Sequence, residues 1–155
     1  MPSPEPREIR DARVAVGAAP ALSKVASDLV ASLTELSNLP NATSMFSIHE
    51  SSTNVGMNFR ISTVHGQIEA VFDHAFKYDR LVGRYRFFAV QALPAGVVSS
   101  TEIWVVLFNS DHCATWEPDE DMDWHFQPGH RDAPQFLGEF VFRLLSRQQA
   151  NLHRY

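Results

Sequence analysis

The chain has 155 residues, of which 45% are hydrophobic and 20% charged, the balance of an ordinary globular domain that folds without disulfides or metals. Its net charge of -5 argues against a surface for nucleic acid or anionic membrane, because both reward clustered lysine and arginine. Cys113 is the only cysteine, which excludes an internal disulfide, and the first ten residues lack the apolar core of a signal peptide. These features predict one cytoplasmic domain, and no motif in the chain indicates a cofactor.

Residues 1–19 are rich in proline, alanine and charge without clear periodicity, which predicts an N-terminal tail. A helix is expected from Pro20 to about Asn38, because proline suits a first helical turn and Pro40 ends the pattern. Its inner stripe recurs at three- and four-residue spacing and consists of Leu22, Val25, Leu29, Leu33 and Leu36. We therefore expect the folded domain to cover residues 20–155.

Three strands are predicted next, at residues 43–50, 55–62 and 67–73. The second and third alternate apolar with polar residues, as strands with one buried face do. His65-Gly66 suits a two-residue hairpin turn between them. This turn predicts that Phe59 lies opposite Phe72, with both apolar sets on the same face.

Two longer strands follow within residues 81–109, joined by a turn at Pro94–Gly96. The buried face is expected to continue through Tyr85, Phe87, Ala89, Ile103, Val105 and Leu107. The second face would then carry Arg84, Arg86, Phe88, Val90, Glu102, Trp104, Val106 and Phe108. This strand pair is apolar on both faces, which is typical of strands that are covered on both sides.

Residues 110–131 form an irregular acidic segment, and a final helix is expected from about Ala133 to His153, capped by Asp132 with Pro134 in its first turn. The predicted architecture is therefore an α+β fold: an N-terminal helix, a five-stranded antiparallel meander and a C-terminal helix. Both helices are expected to pack on one face of the sheet.

Residues 112–130 hold the best candidates for metal ligands, and we predict that they bind no metal. The residues of zinc-binding type lack paired spacing; they are His112, Cys113, His125 and His130. Three alternate aspartates look like the start of a calcium loop, but Trp124 stands where the loop requires glycine. Cys113 is not expected to be a nucleophile, because its neighbour His112 would point to the opposite side of an extended segment. The sequence contains no recognisable catalytic motif.

The apolar second face is the surface most suited to a partner, provided that both helices cover the first face. We expect a small binding or interaction protein that forms a homodimer through this face and has no catalysis of its own. The expected binding residues are Arg84, Arg86, Phe88, Trp104, Val106 and Phe108. The alternative is a small-molecule pocket between the sheet and the C-terminal helix, with hydrolase or isomerase activity. Its lining would be Tyr85, Arg86, Phe88 and Trp104.

Overall fold

The computed structural model describes residue 3 and residues 5–155, and these fold as an α+β domain. The two helices, one before and one after an antiparallel sheet, are α1 (Pro6–Ser37) and α2 (Ala133–Ala150). The strands are β1 (Phe46–Glu50), β2 (Phe59–Thr63), β3 (Gly66–Lys77), β4 (Arg80–Ala92), β5 (Val98–Phe108), β6 (Cys113–Ala114) and β7 (Trp124–His125).

The sheet has seven strands, where the sequence pattern predicts five. Each strand pairs antiparallel with its neighbour along the chain, in the order β1 to β7. The two additional strands, β6 and β7, contain two residues each and lie in the segment predicted to be irregular. Hydrophobic periodicity cannot reveal strands this short, because alternation needs at least four residues. Main-chain bonds hold them: the Thr115 amide donates to the Leu107 carbonyl, and the Phe126 amide donates to the His112 carbonyl.

Helix α1 begins well before its predicted start at Pro20. A capping box between Glu5 and Glu8 closes its first turn, and the helix then continues from Pro6 through Pro20. Residues 6–19, which we call the α1 arm, are mostly exposed, and burial starts only at Leu22. The arm was missed because a helix that buries no stripe has no apolar periodicity to detect.

The second half of α1 lies on the sheet and supplies much of the core. By length and composition α1 could also cross a membrane, with a mean hydropathy of 1.3 over its most apolar window. Its predicted stripe is nevertheless turned toward the sheet, since Leu22, Val25, Leu29 and Leu33 are all buried. This is the pattern of a helix that covers a globular core.

The hairpin of β2 and β3 has the predicted faces but not the predicted register. Thr63 pairs with Gly66, so the turn consists of Val64 and His65, and Phe59 lies opposite Ala70 rather than Phe72. The Thr63 hydroxyl accepts the His65 N–H at 3.1 Å and thereby stabilises this turn. A slip of two residues leaves every side chain on its original face, so the apolar pattern cannot distinguish the two registers.

A β-bulge in β5 reverses the predicted faces of that strand. Phe87 pairs with Trp104 but Phe88 pairs with Glu102, so Ile103 is an extra residue that interrupts the alternation. The placement of three predicted binding residues on the second face is therefore wrong. Trp104, Val106 and Phe108 lie on the buried face of the sheet, beside Phe87 and Tyr85.

Both helices contribute to one core on this buried face, which we call the inner face. The Tyr85 hydroxyl donates to the Met57 carbonyl at 2.6 Å and lies 3.3 Å from the Ala26 carbonyl of α1. Phe140 of α2 packs against Phe87 and Trp104, with ring centres 5.6 and 5.2 Å apart. The opposite side of the sheet is the outer face.

Candidate functional site

The outer face is a charged surface, and it carries three of the predicted binding residues. Arg84 donates two hydrogen bonds to Asp73 on the neighbouring strand, at 2.7 and 2.6 Å. Two further ion pairs join neighbouring strands: Arg60–Glu69 at 3.0 Å and Arg86–Glu102 at 3.9 Å. Phe88 is half-buried, with its ring centre 5.3 Å from the Arg86 guanidinium carbon. Arg84 and Arg86 thus have acidic partners within the chain.

The Asp73–Arg84 ion pair on the outer face makes the stability of the fold depend on pH. A hydrogen bond from Arg84 holds the pKa of the Asp73 carboxyl below its usual value. A carboxyl with a depressed folded pKa stabilises the fold above its unfolded pKa, near 4, and this contribution is lost as the pH falls through the folded pKa. Because the pair is about one-third exposed, we expect Asp73→Asn to lower the free energy of unfolding by roughly 1 kcal/mol or less at neutral pH.

Urea unfolding at neutral pH and at an acidic pH well below about 4 tests this expectation, because the contribution of the ionised carboxyl is lost as the pH falls through its folded pKa. The stability difference between variant and wild type should shrink in acid. Asp119→Asn, at an exposed aspartate, is the matched control and should have little effect at either pH. An equal deficit of Asp73→Asn at both pH values would show that charge is not the cause.

The space between the sheet and α2, where a ligand pocket was the alternative prediction, is filled by side chains. Trp104 is 3% exposed and stacks on Phe140. Its Nε1 donates to the Trp116 carbonyl at 2.8 Å. The cavity that remains between the sheet, α1 and α2 measures about 10 Å³, which is barely enough for one water molecule. Tyr85, another predicted lining residue, is fully buried in the core.

An open cleft instead lies at one end of the sheet, between α1 and the turn that joins β3 to β4. One part, of about 770 Å³, runs between Val14 on the α1 arm and Phe76 on β3. The other part, of about 530 Å³, runs between Leu22 on α1 and Met122 in the acidic segment. The two parts share the lining residues Ala18, Arg80 and Leu81. We call the whole feature the end cleft.

Large apolar side chains around the end cleft are exposed. Val14 is 68% exposed, Phe76 67% and Tyr78 78%. Phe76 continues the inner face of β3 past the part of the sheet that α1 covers. Ile9 and Val16 are also exposed on the arm, outside the cleft lining, so the arm presents apolar side chains on more than one side. Clustered apolar exposure of this kind marks a binding surface more often than scattered single residues do.

The turn beside the cleft holds an aromatic residue in an unusual backbone conformation. Tyr78 and Asp79 both have positive φ, 50° and 61°, as both central residues of a type I′ hairpin turn must. Asparagine and glycine normally take these positions, and a bulky aromatic residue there is strained. Such strain tends to occur at functional positions. In this turn the Tyr78 ring lies in solvent, at the mouth of the cleft.

The acidic segment forms the far wall of the cleft and is tied down at two points. Lys77 donates to the Pro118 carbonyl at 2.7 Å. His112 lies 2.8 Å from Asp28 of α1. Burial raises the pKa of Asp28, but hydrogen bonds from His112 and Lys24 outweigh this effect and leave the pKa below its usual value. The segment is therefore an ordered part of the domain, which acidic composition alone does not predict.

Cys113 is in poor surroundings for a nucleophile. Burial, with the Asp111 carboxylate nearby, raises the pKa of its thiol, and the thiolate is the reactive form. His112 is engaged with Asp28. His125 is the cross-strand partner of Cys113, yet the thiol's contact is with the Asp111 carbonyl at 3.8 Å. These contacts favour an unreactive thiol.

Sequence reasoning named His125 and His130 as candidate metal ligands but missed their grouping with Asp132 at the corner between β7 and α2. His125, His130 and Asp132 each offer a ligand atom, and these atoms lie within 4.8 Å of one another. The signal that could have revealed the group is Pro128-Gly129, which forms a turn closed by the His130 amide and the Gln127 carbonyl at 3.1 Å. This turn brings the second histidine back to the first.

No family model, curated protein or solved structure matches this chain. Function must therefore be inferred from the geometry of the described residues. Among them, the end cleft combines open volume, exposed apolar side chains and a strained aromatic turn.

Proposed function

We propose that this protein is a non-catalytic interaction protein of the cytoplasm, and that it forms a homodimer through the α1 arm and the end cleft. The observation that carries the proposal is an arm with exposed apolar side chains beside an open cleft that also exposes apolar side chains, in the same chain. The sequence pattern placed the dimer contact on the face that carries Trp104, but this residue is buried. We therefore propose the end cleft as the contact surface instead. The half-buried lone thiol of Cys113 suits a reducing compartment.

Two-fold symmetry suits this arrangement because the chain carries both halves of the contact. In a two-fold pair the arm of each copy would lie in the end cleft of the other, so a single kind of contact would be made twice. Ala12, Ala15 and Ala18 line the cleft side of the arm, and small side chains allow two helix backbones to approach closely. The arm would then gain the partner that its own chain does not supply.

The exposed area suits a stable pair. An aromatic side chain buries roughly 150–250 Å², so Phe76 and Tyr78 alone would supply a large part of the roughly 800 Å² per partner of a standard interface. Val14 adds to this area from the arm. The charged residues that line the outer part of the cleft are mixed in sign and would form a polar rim; they are Arg7, Asp11, Asp79 and Arg80.

Light scattering coupled to size exclusion tests the proposal. The wild type should be a dimer at micromolar concentration, and Val14→Glu should be a monomer, because a charge at the centre of an apolar contact would lose its hydration without gaining a partner. Phe76→Ser should weaken the dimer in the same direction. The folded state of each variant is checked by tryptophan fluorescence, since Trp104 and Trp124 are buried in the core, away from the cleft.

Val55→Glu is the matched control, because Val55 is as exposed as Val14 but lies in the loop between β1 and β2. It should leave the dimer intact. A wild type that is monomeric throughout the micromolar range, or a Val14→Glu variant that stays dimeric, would contradict the proposal.

A second candidate function is the binding of a small molecule in the inner part of the end cleft. Its volume of about 530 Å³ falls in the usual size range of ligand pockets. Lys77 and Asp111 provide polar groups on opposite walls beside the apolar Leu81 and Val82. Two results together would favour this candidate over the dimer. The wild type would be monomeric, and an environment-sensitive dye would fluoresce more strongly with the wild type than with a Leu81→Glu variant.

A further inference from the structure

We infer that His125, His130 and Asp132 form a binding site for Zn²⁺ at the corner between β7 and α2. The spacing of these residues in the sequence predicts no metal site, and the fold is what gathers them. Their ligand atoms lie within 4.8 Å of one another, and the two imidazole rings are 4.3 Å apart, nearly perpendicular. A modest closing movement of exposed side chains would bring the three groups to bonding distance of one ion. The site is separate from the end cleft and does not depend on the dimer.

The backbone around the site is rigid for local reasons. His125 lies in β7, opposite Cys113 of β6. Gly129 has a φ of 79°, as the third residue of a Pro-Gly turn requires. Asp132 occupies the cap position of α2, although its side chain makes no capping hydrogen bond. Its carboxylate makes a long contact, 3.8 Å, with the exposed Arg131 guanidinium. An ion that displaced this weak surface pair would link the strand to the start of the helix.

An unpaired nitrogen supplies an independent reason. Nδ1 of His125 is buried without a hydrogen-bond partner, one of two such side-chain atoms found among the described residues. A buried polar atom without a partner costs about 1–3 kcal/mol. Coordination through Nδ1 would give this atom a partner, and the Phe136 ring, 5.1 Å away, shields the same imidazole.

The donor set favours zinc over the common alkaline-earth ions. Imidazole nitrogens with one carboxylate oxygen suit Zn²⁺, whereas Ca²⁺ and Mg²⁺ prefer oxygen alone. Three protein ligands leave the fourth tetrahedral position open. His130 also lines a cleft of about 420 Å³ with Glu35 and Arg131, so a water molecule or a small anion could reach that open position.

Zinc binding should break a specific hydrogen bond at His130. Its Nδ1 accepts the backbone N–H of Asp132 at 3.1 Å, so the proton of the neutral ring is on Nε2. Coordination through Nε2 requires the ring proton to move to Nδ1, and coordination through Nδ1 uses the lone pair of that nitrogen. In either case Nδ1 no longer accepts the Asp132 N–H. The amide resonance of Asp132 should therefore move when zinc binds.

Isothermal titration of chelator-treated protein with zinc chloride tests the inference. One Zn²⁺ per chain should bind with micromolar or tighter affinity, raise the melting midpoint and shift the Asp132 amide. His130→Ala should weaken binding at least about tenfold, the loss typical when a supporting group of a metal site is removed. His65→Ala is the matched control, because His65 is an exposed turn histidine on a different part of the sheet. It should bind as the wild type does.

Calcium chloride and magnesium chloride should cause neither the heat signal nor the shift. His130 and Asp132 are exposed, so their variants should remain folded. The inference is overturned if no zinc binds, or if zinc binds equally to His130→Ala and Asp132→Asn. Neither result would affect the proposed dimer, which is measured without metal and through other residues.

Discussion

Trp104→Ala should lower the free energy of unfolding by about 3–5 kcal/mol, the range seen when a buried aromatic side chain is cut back to alanine. The Trp104 ring is 3% exposed and packs between Phe87 and Phe140. Its Nε1 donates to the Trp116 carbonyl, which would lose this partner. The loss would be a large share of the stability of an ordinary domain, about 5–15 kcal/mol. Urea unfolding followed by circular dichroism measures it.

Phe88→Ala provides the comparison, because Phe88 lies on the same pair of strands but on the outer face and is half-buried. Its loss should be clearly smaller. If Trp104→Ala changed only the oligomeric state and left the unfolding midpoint where it was, Trp104 would be an interface residue, as the sequence pattern first suggested, and the bulge at Ile103 would be misplaced.

Gly83→Ala should be the second severe change, although it adds a single methyl group. Gly83 pairs with Phe108 across β4 and β5, and the Phe108 ring covers it. A Cβ at position 83 would lie 2.1 Å from Cζ of that ring, far inside contact distance. Phe108 is fully buried and stacked on Tyr85 and Phe72, so it has little room to move. Overpacking of a tight core typically costs 1–3 kcal/mol, and we expect a loss at or above about 3 kcal/mol here.

Thermal or urea unfolding of two further variants separates this clash from a general effect of losing glycine. Gly138→Ala, in α2, meets no atom within 4 Å and should raise stability by roughly 0.5–1 kcal/mol, because alanine is the better helix former. Phe108→Leu combined with Gly83→Ala should be less damaging than the sum of the single changes, since the smaller side chain relieves the contact. Additive losses would mean that the two residues do not meet.

Alternation predicted the inner face of β2 and β3 because each of these strands has one apolar and one polar side, and of β4 because arginines mark part of its other side. Phe59, Ile68 and Phe87 are buried as expected. The same pattern could not fix the register of the first hairpin, since a two-residue slip keeps every face unchanged. A hydrogen bond from the His65 amide to the Thr63 hydroxyl stabilises the observed turn, and a contact of this kind leaves no periodic signal in the sequence.

The faces of β5 could not be predicted because both of its sides are apolar. Ile103, Val105 and Leu107 are as suited to a core as Trp104, Val106 and Phe108. One extra residue at the bulge exchanges the two sets beyond it. The bulge changed the expected dimer face, because it placed three of the four apolar residues of the predicted site in the core and left only Phe88 beside the charged residues of the outer face.

The end cleft was not predicted because it depends on tertiary placement. The arm was predicted to be a tail, since its exposed helix has no buried stripe, and Phe76 lies beyond the predicted end of the third strand. The positive φ of Tyr78 and Asp79 was not expected either, because asparagine and glycine normally take both positions of this turn. Likewise, His125 and His130 were considered as metal ligands only with His112 and Cys113, because the sequence does not show that the Pro-Gly turn brings the two histidines together.

Pro20 makes the arm a separate cooperative unit from the rest of α1. Proline has no N–H for the carbonyl of Val16, so helix propagation is weakest at this point, between the buried half and the arm. An isolated helix as short as the arm is marginal in water. In a dilute monomer the arm should therefore exchange its amide protons far faster than residues 22–37, and protection should rise with protein concentration. Ordering of the arm and assembly of the proposed dimer would then be a single coupled equilibrium. The helix content of the chain would therefore rise with the fraction of the protein that is dimeric.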